Sequence, residues 1–199
     1  YSQPFNLVEY TRFDSSLGLL KDLDRQFVYG KGFSVRKSAE GTATAQYIYV
    51  GHGINDSLHF LMKDKVVILN QTRSDITSIP YYRKITLQQI LSAGAVAVLS
   101  VMPDGYDFGN TRVKGESRSS YDLLVLNIDS CLLPYFIPSR LIDEYSPEDI
   151  YNSPYISDTG DVVKISVEKE QNVIHTGNVT GLKAGESEDY IVIGAHHDH

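Results

Sequence analysis

Three imidazoles and a carboxylate stand together at His196-His197-Asp198-His199. Neutral imidazole is a borderline ligand that suits zinc, and a nearby carboxylate can hold the ring's tautomer through its second nitrogen. A His-x-Asp pair in this setting suits a metal. A catalytic zinc needs about three protein ligands, and this sequence supplies one such cluster. The elements that must position it lie just upstream. Tyr190 to Ile193 is a short apolar run without polar alternation, which reads as a strand buried on both faces. Gly194 and Ala195 leave the backbone unobstructed where that strand ends. In open α/β sheets, ligands bind in the crevice beyond the carboxyl ends of the strands.

Other candidate residues have plainer readings. His52 lies between two glycines and reads as an exposed loop residue, while His59 and His175 read as packing or surface positions. Cys131 stands alone, so there is no disulfide framework, and it reads as a buried small hydrophobe rather than a nucleophile. Arg112, Lys114 and Arg118 fall in a polar loop, Asp104 to Ser120; guanidinium suits a carboxylate, but the loop reads chiefly as solvated. Asp104, Asp107 and Asn110 lack the fuller spacing of a calcium loop and read as turn formers. Glycosylation sequons begin at Asn55, Asn70 and Asn178 and matter only on a secretory route.

The chain has 199 residues, 42% of them hydrophobic, which is enough for a real core. A net charge of −7 argues against nucleic acid or an acidic membrane surface as partner. No apolar run approaches the roughly 20 residues of a bilayer span. The start, Tyr1-Ser2-Gln3-Pro4, lacks the basic region and apolar core of a leader, and a chain that opens mid-strand is expected to be cut from a longer one.

The pattern along the chain is strand-rich and mixed α/β. Tyr1 to Glu9 reads as an extended edge, with Pro4 tolerable near a strand start. Phe13 to Gly32 is mixed and carries no assignment beyond a turn at Gly30-Lys31-Gly32. Strands are expected at 33–35, 42–50, 66–69, 95–99, 123–128 and 162–167. The one strong helix signal is Thr86-Leu87-Gln88-Gln89, a capping box, with Leu87, Ile90 and Leu91 on one face and Gly94 as its stop. Between two apolar runs it reads as a strand–helix–strand crossover. Short helices are expected after Ser139 and at Pro147.

Two stretches resemble known families. Ile191-Val192-Ile193-Gly194-Ala195-His196-His197-Asp198 resembles the first metal-binding motif of the zinc aminopeptidase family that includes glutamate carboxypeptidase and the transferrin receptor. By position, His196 matches the zinc-ligand histidine and Asp198 the aspartate that supports it; His197 and His199 inherit no role. The middle of the chain resembles a protease-associated domain through Tyr49-Val50-Gly51-His52-Gly53-Ile54, Lys65-Val66-Val67-Ile68-Leu69, Ala93-Gly94-Ala95-Val96-Ala97-Val98-Leu99 and Phe136-Ile137-Pro138-Ser139. Asp64 departs from that pattern, which has glycine before the lysine. Tyr1 to Phe5 is similar to the last peptidase strand before this insert, and Asn172 to Gly181 to the strand that re-enters the peptidase.

The resemblance implies a division into 1–12, an edge strand of a peptidase domain; 13–168, the protease-associated domain, a β-sandwich or open barrel with flanking helices; and 169–199, the start of a truncated zinc-peptidase domain. It implies a two-zinc exopeptidase acting on peptides or proteins, homodimer formation through the inserted domain, and export, whether secreted, periplasmic or cell-surface. The bridging ligand, the remaining ligands and the general base would lie beyond His199, so this piece alone is expected to be silent. A non-catalytic binding module and a metal-free pseudo-peptidase remain open alternatives.

Overall fold

The computed structural model describes residues 2–20, 25–35, 37–51, 56–71, 86–109, 112–114, 122–138, 155–157 and 161–179. Its strands are β1 (Ser2–Leu20), β2 (Arg25–Phe27), β3 (Phe33–Ser34), β4 (Gly41–Tyr49), β5 (Val66–Asn70), β6 (Ala97–Met102), β7 (Arg112–Lys114), β8 (Leu124–Asp129), β9 (Tyr155–Ile156) and β10 (Val162–Val179). Among the described residues helices are few: α1 (Leu87–Ser92), α2 (Leu133–Phe136), and 3-10 turns at Asp56–Leu61 and Ser130–Leu132. The protein is mixed α/β and strand-rich. Among the described residues no helix is long and apolar enough to cross a membrane.

The strands form one sheet in the order β2-β1-β10-β4-β5-β6-β8-β3, with β7 on β1 and β9 on β4. Its two ends approach each other through the turn that joins them in sequence. Tyr29 bridges Phe33, the Gly30 N–H donates to the Phe33 carbonyl at 2.8 Å, and the Asp129 N–H donates to the Gly32 carbonyl at 2.9 Å. The sheet therefore nearly closes on itself.

Strands β4, β5, β6 and β8 run parallel in that order. Their apolar runs lack alternation because both faces are covered. Tyr47, Val66, Ile68, Leu99 and Leu126 face the barrel-like interior, with Phe13, Leu17, Ile165 and Phe136 opposite. Ile48, Val67, Leu69 and Val98 face outward under α1, whose Ile90 is fully buried. The crossover from β5 to β6 is the strand–helix–strand unit the sequence signalled. Both halves of the capping box form: the Gln89 N–H donates to Thr86 Oγ1 at 3.2 Å, and the Thr86 N–H donates to Gln89 Oε1 at 2.8 Å.

Several expectations need correction. The stretch left without assignment after Phe13 continues β1 to Leu20 and then forms β2. The loop 104–120 is not wholly loop, since β7 pairs with Tyr10–Arg12 of β1. The strands expected at 162–167 and 172–181 are one element, β10. Strand β1 runs through position 12 from Ser2 to Leu20, and β10 runs through position 168. Helix α2, one turn with Pro134 near its start, carried no visible signal. The helices expected after Ser139 and at Pro147 lie outside the described residues.

Asp64, the departure from the glycine pattern, has φ 58°, in the left-handed region that glycine occupies without cost. Its N–H donates to the Gly94 carbonyl at 2.9 Å, tying the turn before β5 to the turn that ends α1. Gly94 itself has φ +81°, and a Cβ there would sit 3.4 Å from Lys63 Cγ. Aspartate tolerates this conformation better than most residues. In urea unfolding, Asp64→Gly should leave stability within about 0.5 kcal/mol. Asp64→Val and Gly94→Ala should each cost about 1–2 kcal/mol.

Candidate functional site

The residues with the sharpest chemistry, His196 and Asp198 with His197 and His199, lie outside the described residues. What the structure does describe is β10, which precedes them in sequence and ends at Val179. β1 and β10 pair antiparallel from Ser2↔Val179 to Leu20↔Val162. Only Val162–Val167 of β10 also pairs with β4. Among the described residues, the ribbon Ser2–Val8 against Val173–Val179 pairs with no other strand.

A β-bulge at Glu9 marks the root of this ribbon, since Val8 opposes Val173 and Tyr10 opposes Asn172. An extra residue on one strand shifts its side-chain alternation. After the bulge Thr11, Phe13, Leu17 and Leu19 are buried on the inner face, beside odd-numbered residues of β10. Before it, Phe5 and Leu7 sit opposite the even-numbered Thr176 and Ile174, which puts them on the outer face. Val8 and Val173 then take the inner face. The ribbon is thus apolar on both sides, with Phe5, Leu7, Val173 and Ile174 39–44% exposed. Side-chain hydrogen bonds hold its register: Asn172 Nδ2 donates to Glu9 Oε2, and His175 Nδ1 lies 2.8 Å from Asn6 Oδ1.

Among the described residues the other imidazoles do not gather. His175 is exposed on the ribbon, and His59 lies in the 3-10 turn with a buried Nε2 that has no hydrogen-bond partner. His52 lies outside the described residues. Among the described residues, no three His, Cys, Asp or Glu side chains gather to hold a metal.

Arg112 and Lys114 are placed by β7 on the exposed face of β1, with Arg112 opposite Arg12 and its guanidinium 5.0 Å from the Tyr10 ring centre. Arg118 lies outside the described residues. Asp107 behaves as a turn former, accepting from the Gly109 N–H at 2.9 Å, and Asp104 accepts from the Ser130 hydroxyl at 3.2 Å. Asn110 is outside the described residues.

Sequence reasoning missed a row of polar side chains in the carboxyl-terminal halves of the parallel strands. Asn70 Nδ2 donates to the Tyr49 hydroxyl at 3.4 Å, Gln71 Nε2 to Ser100 Oγ at 3.3 Å, and Asn127 Nδ2 to the Tyr106 hydroxyl at 2.8 Å. Burial pushes the Tyr49 phenol above its ordinary range, with Asn70 opposing weakly. The side-chain amides do not titrate, and the Tyr49 phenol stays protonated at pH 7. They offer hydrogen bonds, with no nucleophile–base pair among them. The signal available for them was slight: single polar residues inside or just after apolar runs.

Cys131 corrects the sequence reading, because it is exposed. It sits in the short 3-10 turn capped by Asp129, whose Oδ1 accepts from the Cys131 N–H at 2.8 Å. A hydrogen bond from the thiol to the Asp129 carboxylate, some burial and the carboxylate's charge all raise the thiol pKa. Exposure without thiolate makes a poor nucleophile. A raised pKa means less thiolate at any pH below it. The thiol should therefore react with a disulfide reagent at pH 7.5 more slowly than free cysteine, and Asp129→Asn should accelerate it several-fold.

No protein-family model matches the chain, and neither does any curated protein sequence. Several solved structures are similar to this chain. An aminopeptidase from Aneurinibacillus sp. strain AM-1 is 14% identical with a TM-score of 0.46, over 89% of this chain and 36% of that one. BSAP, a zinc aminopeptidase from Bacillus subtilis, is 13% identical with a TM-score of 0.44, over 92% and 38%. A peptidase M28 precursor from Shewanella amazonensis SB2B is 9% identical with a TM-score of 0.40, over 89% and 39%. The chain spans little more than a third of the length of each.

Proposed function

We propose that this chain is part of a two-zinc metallo-exopeptidase, an aminopeptidase that hydrolyses the terminal peptide bond of peptides or proteins. The observation that carries the reading is the ribbon. Ser2–Val8 and Val173–Val179 form a pair apolar on both faces, and in sequence β10 precedes the Gly194-Ala195-His196-His197-Asp198 run. Such strands belong inside a second, covered sheet, and the resemblance makes that sheet a peptidase's. In this reading the ribbon strands belong to the peptidase, and the body between them is its protease-associated insert. That body borders the substrate or joins protomers.

The donor chemistry of the run fits zinc. His196 would coordinate through one ring nitrogen as neutral imidazole, and Asp198 would accept the N–H of the other, fixing the tautomer. Bound zinc would supply Lewis acidity toward a peptide carbonyl and a water nucleophile at neutral pH. In this reading the remaining ligands and a general-base carboxylate come from other segments. The 199-residue chain alone is then silent. A binding module without chemistry, or a metal-free relative, would be silent at every length.

The test is zinc-dependent hydrolysis of aminoacyl-anilides by the full polypeptide that the source cell makes. Asp198→Ala should lower activity or zinc affinity by about 10–100-fold, and His196→Ala by more. A full-length protein without this activity, or one indifferent to His196→Ala, overturns the reading.

A further inference from the structure

Alternation along the parallel strands sorts the polar groups at their carboxyl ends by face. Asn70 shares the inner face with Ile68 and reaches the Tyr49 hydroxyl there. Leu69 faces outward, and Gln71 takes the same side two residues on. Ser100 stands opposite Leu69 on one side and Asn127 on the other, and Asn127 stands opposite Ser34 of β3. Their neighbours Val101, Ile128 and Phe33 point into the interior. Gln71, Ser100, Asn127 and Ser34 therefore form one outward-facing polar row across β5, β6, β8 and β3, beside the apolar patch that α1 covers.

The row is closed at its floor and open at its rim. Ser34 and Ser100 are buried, at 0% and 3% exposure. Gln71 and Asn127 are half-buried, as is Tyr106, whose hydroxyl accepts from Asn127 at 2.8 Å. Each carboxamide has two donors and an acceptor, and the bond from Gln71 to Ser100 and that from Asn127 to Tyr106 each engage one donor. Ser34 Oγ has no hydrogen-bond partner among the described residues, although buried polar groups normally find one. No member of the row is charged. The next outward pair on β6 and β8 is Met102 and Asp129, and a carboxylate there disfavours an anionic ligand.

We propose that this row binds the peptide group, in the form of an uncharged, extended stretch of polypeptide main chain. A carboxamide holds its donor and acceptor in one plane, and a peptide group presents the complementary pair. Strands β5 and β8, with β6 between them, are about 10 Å apart, the length of three extended residues. A tetrapeptide therefore reaches both Gln71 and Asn127. The main chain would accept from one carboxamide N–H and donate to its carbonyl oxygen, with the Tyr106 ring along one side. The site needs neither zinc nor the peptidase reading.

NMR of the side-chain amides of the 199-residue chain tests this, with a capped, uncharged tetrapeptide of alanine and glycine as probe. The Gln71 and Asn127 NH2 signals should shift together and saturate with a Kd on the order of 1 mM. Gln71→Leu and Asn127→Leu, both at partly exposed positions, should each weaken binding about 10-fold, while unchanged backbone signals from β4 and β10 show the fold intact. An uncharged trisaccharide should leave the signals in place. No saturable shift at about 20 mM peptide, binding that survives both substitutions, or a response to the trisaccharide instead of the peptide overturns the proposal. None of these readouts involves zinc or hydrolysis, so this site and the peptidase reading can fail separately.

Discussion

The antiparallel ladder between β1 and β10 is the interaction on which the rest of the structure depends. Over Thr11–Leu20 it brings Phe13, Leu17 and Leu19 together with Val163, Ile165 and Val167 as one wall of the interior. Tyr47 and Phe136, packed edge-to-face at 5.7 Å between ring centres, fill the space opposite that wall. Without the ladder the parallel strands β4, β5, β6 and β8 would have a cover on only one face. Apolar runs such as Val66–Leu69 require cover on both.

The same ladder also leaves the body it helps to build. The bulge at Glu9 separates its two roles, because one inserted residue reverses which side of β1 faces inward. Odd-numbered residues of β1 are core on one side of the bulge and outward-facing apolar residues on the other. A single residue thus lets one strand serve two differently oriented surroundings.

Local chemistry was the legible part of the sequence. The capping box at Thr86 and Gln89, the stop at Gly94 and the apolar runs of β5, β6 and β8 all rest on neighbouring residues, and each formed where its pattern stood. The left-handed turn at Asp64 was visible as a substitution within a glycine pattern. Long-range pairing was not legible. Nothing between Phe13 and Leu20 says that its partner lies more than 140 positions away, and Arg112–Lys114 is a strand only because β1 offers it an edge. Cys131 was misread because burial was inferred from residue type, whereas a carboxylate-capped turn holds it at the surface. The His-x-Asp run was found by composition and spacing alone.

Ser2 and Val179 stand directly opposite each other. To any larger sheet that includes the ribbon, the whole body from 9 to 171 is therefore one hairpin loop closed by a narrow stem. Closing so long a flexible loop would cost about 4–5 kcal/mol in chain entropy, and the search for such distant partners is slow. If the body folds first, it holds the two stem strands side by side and removes both penalties. A body that folds first would act as the nucleus for any sheet built on its stem.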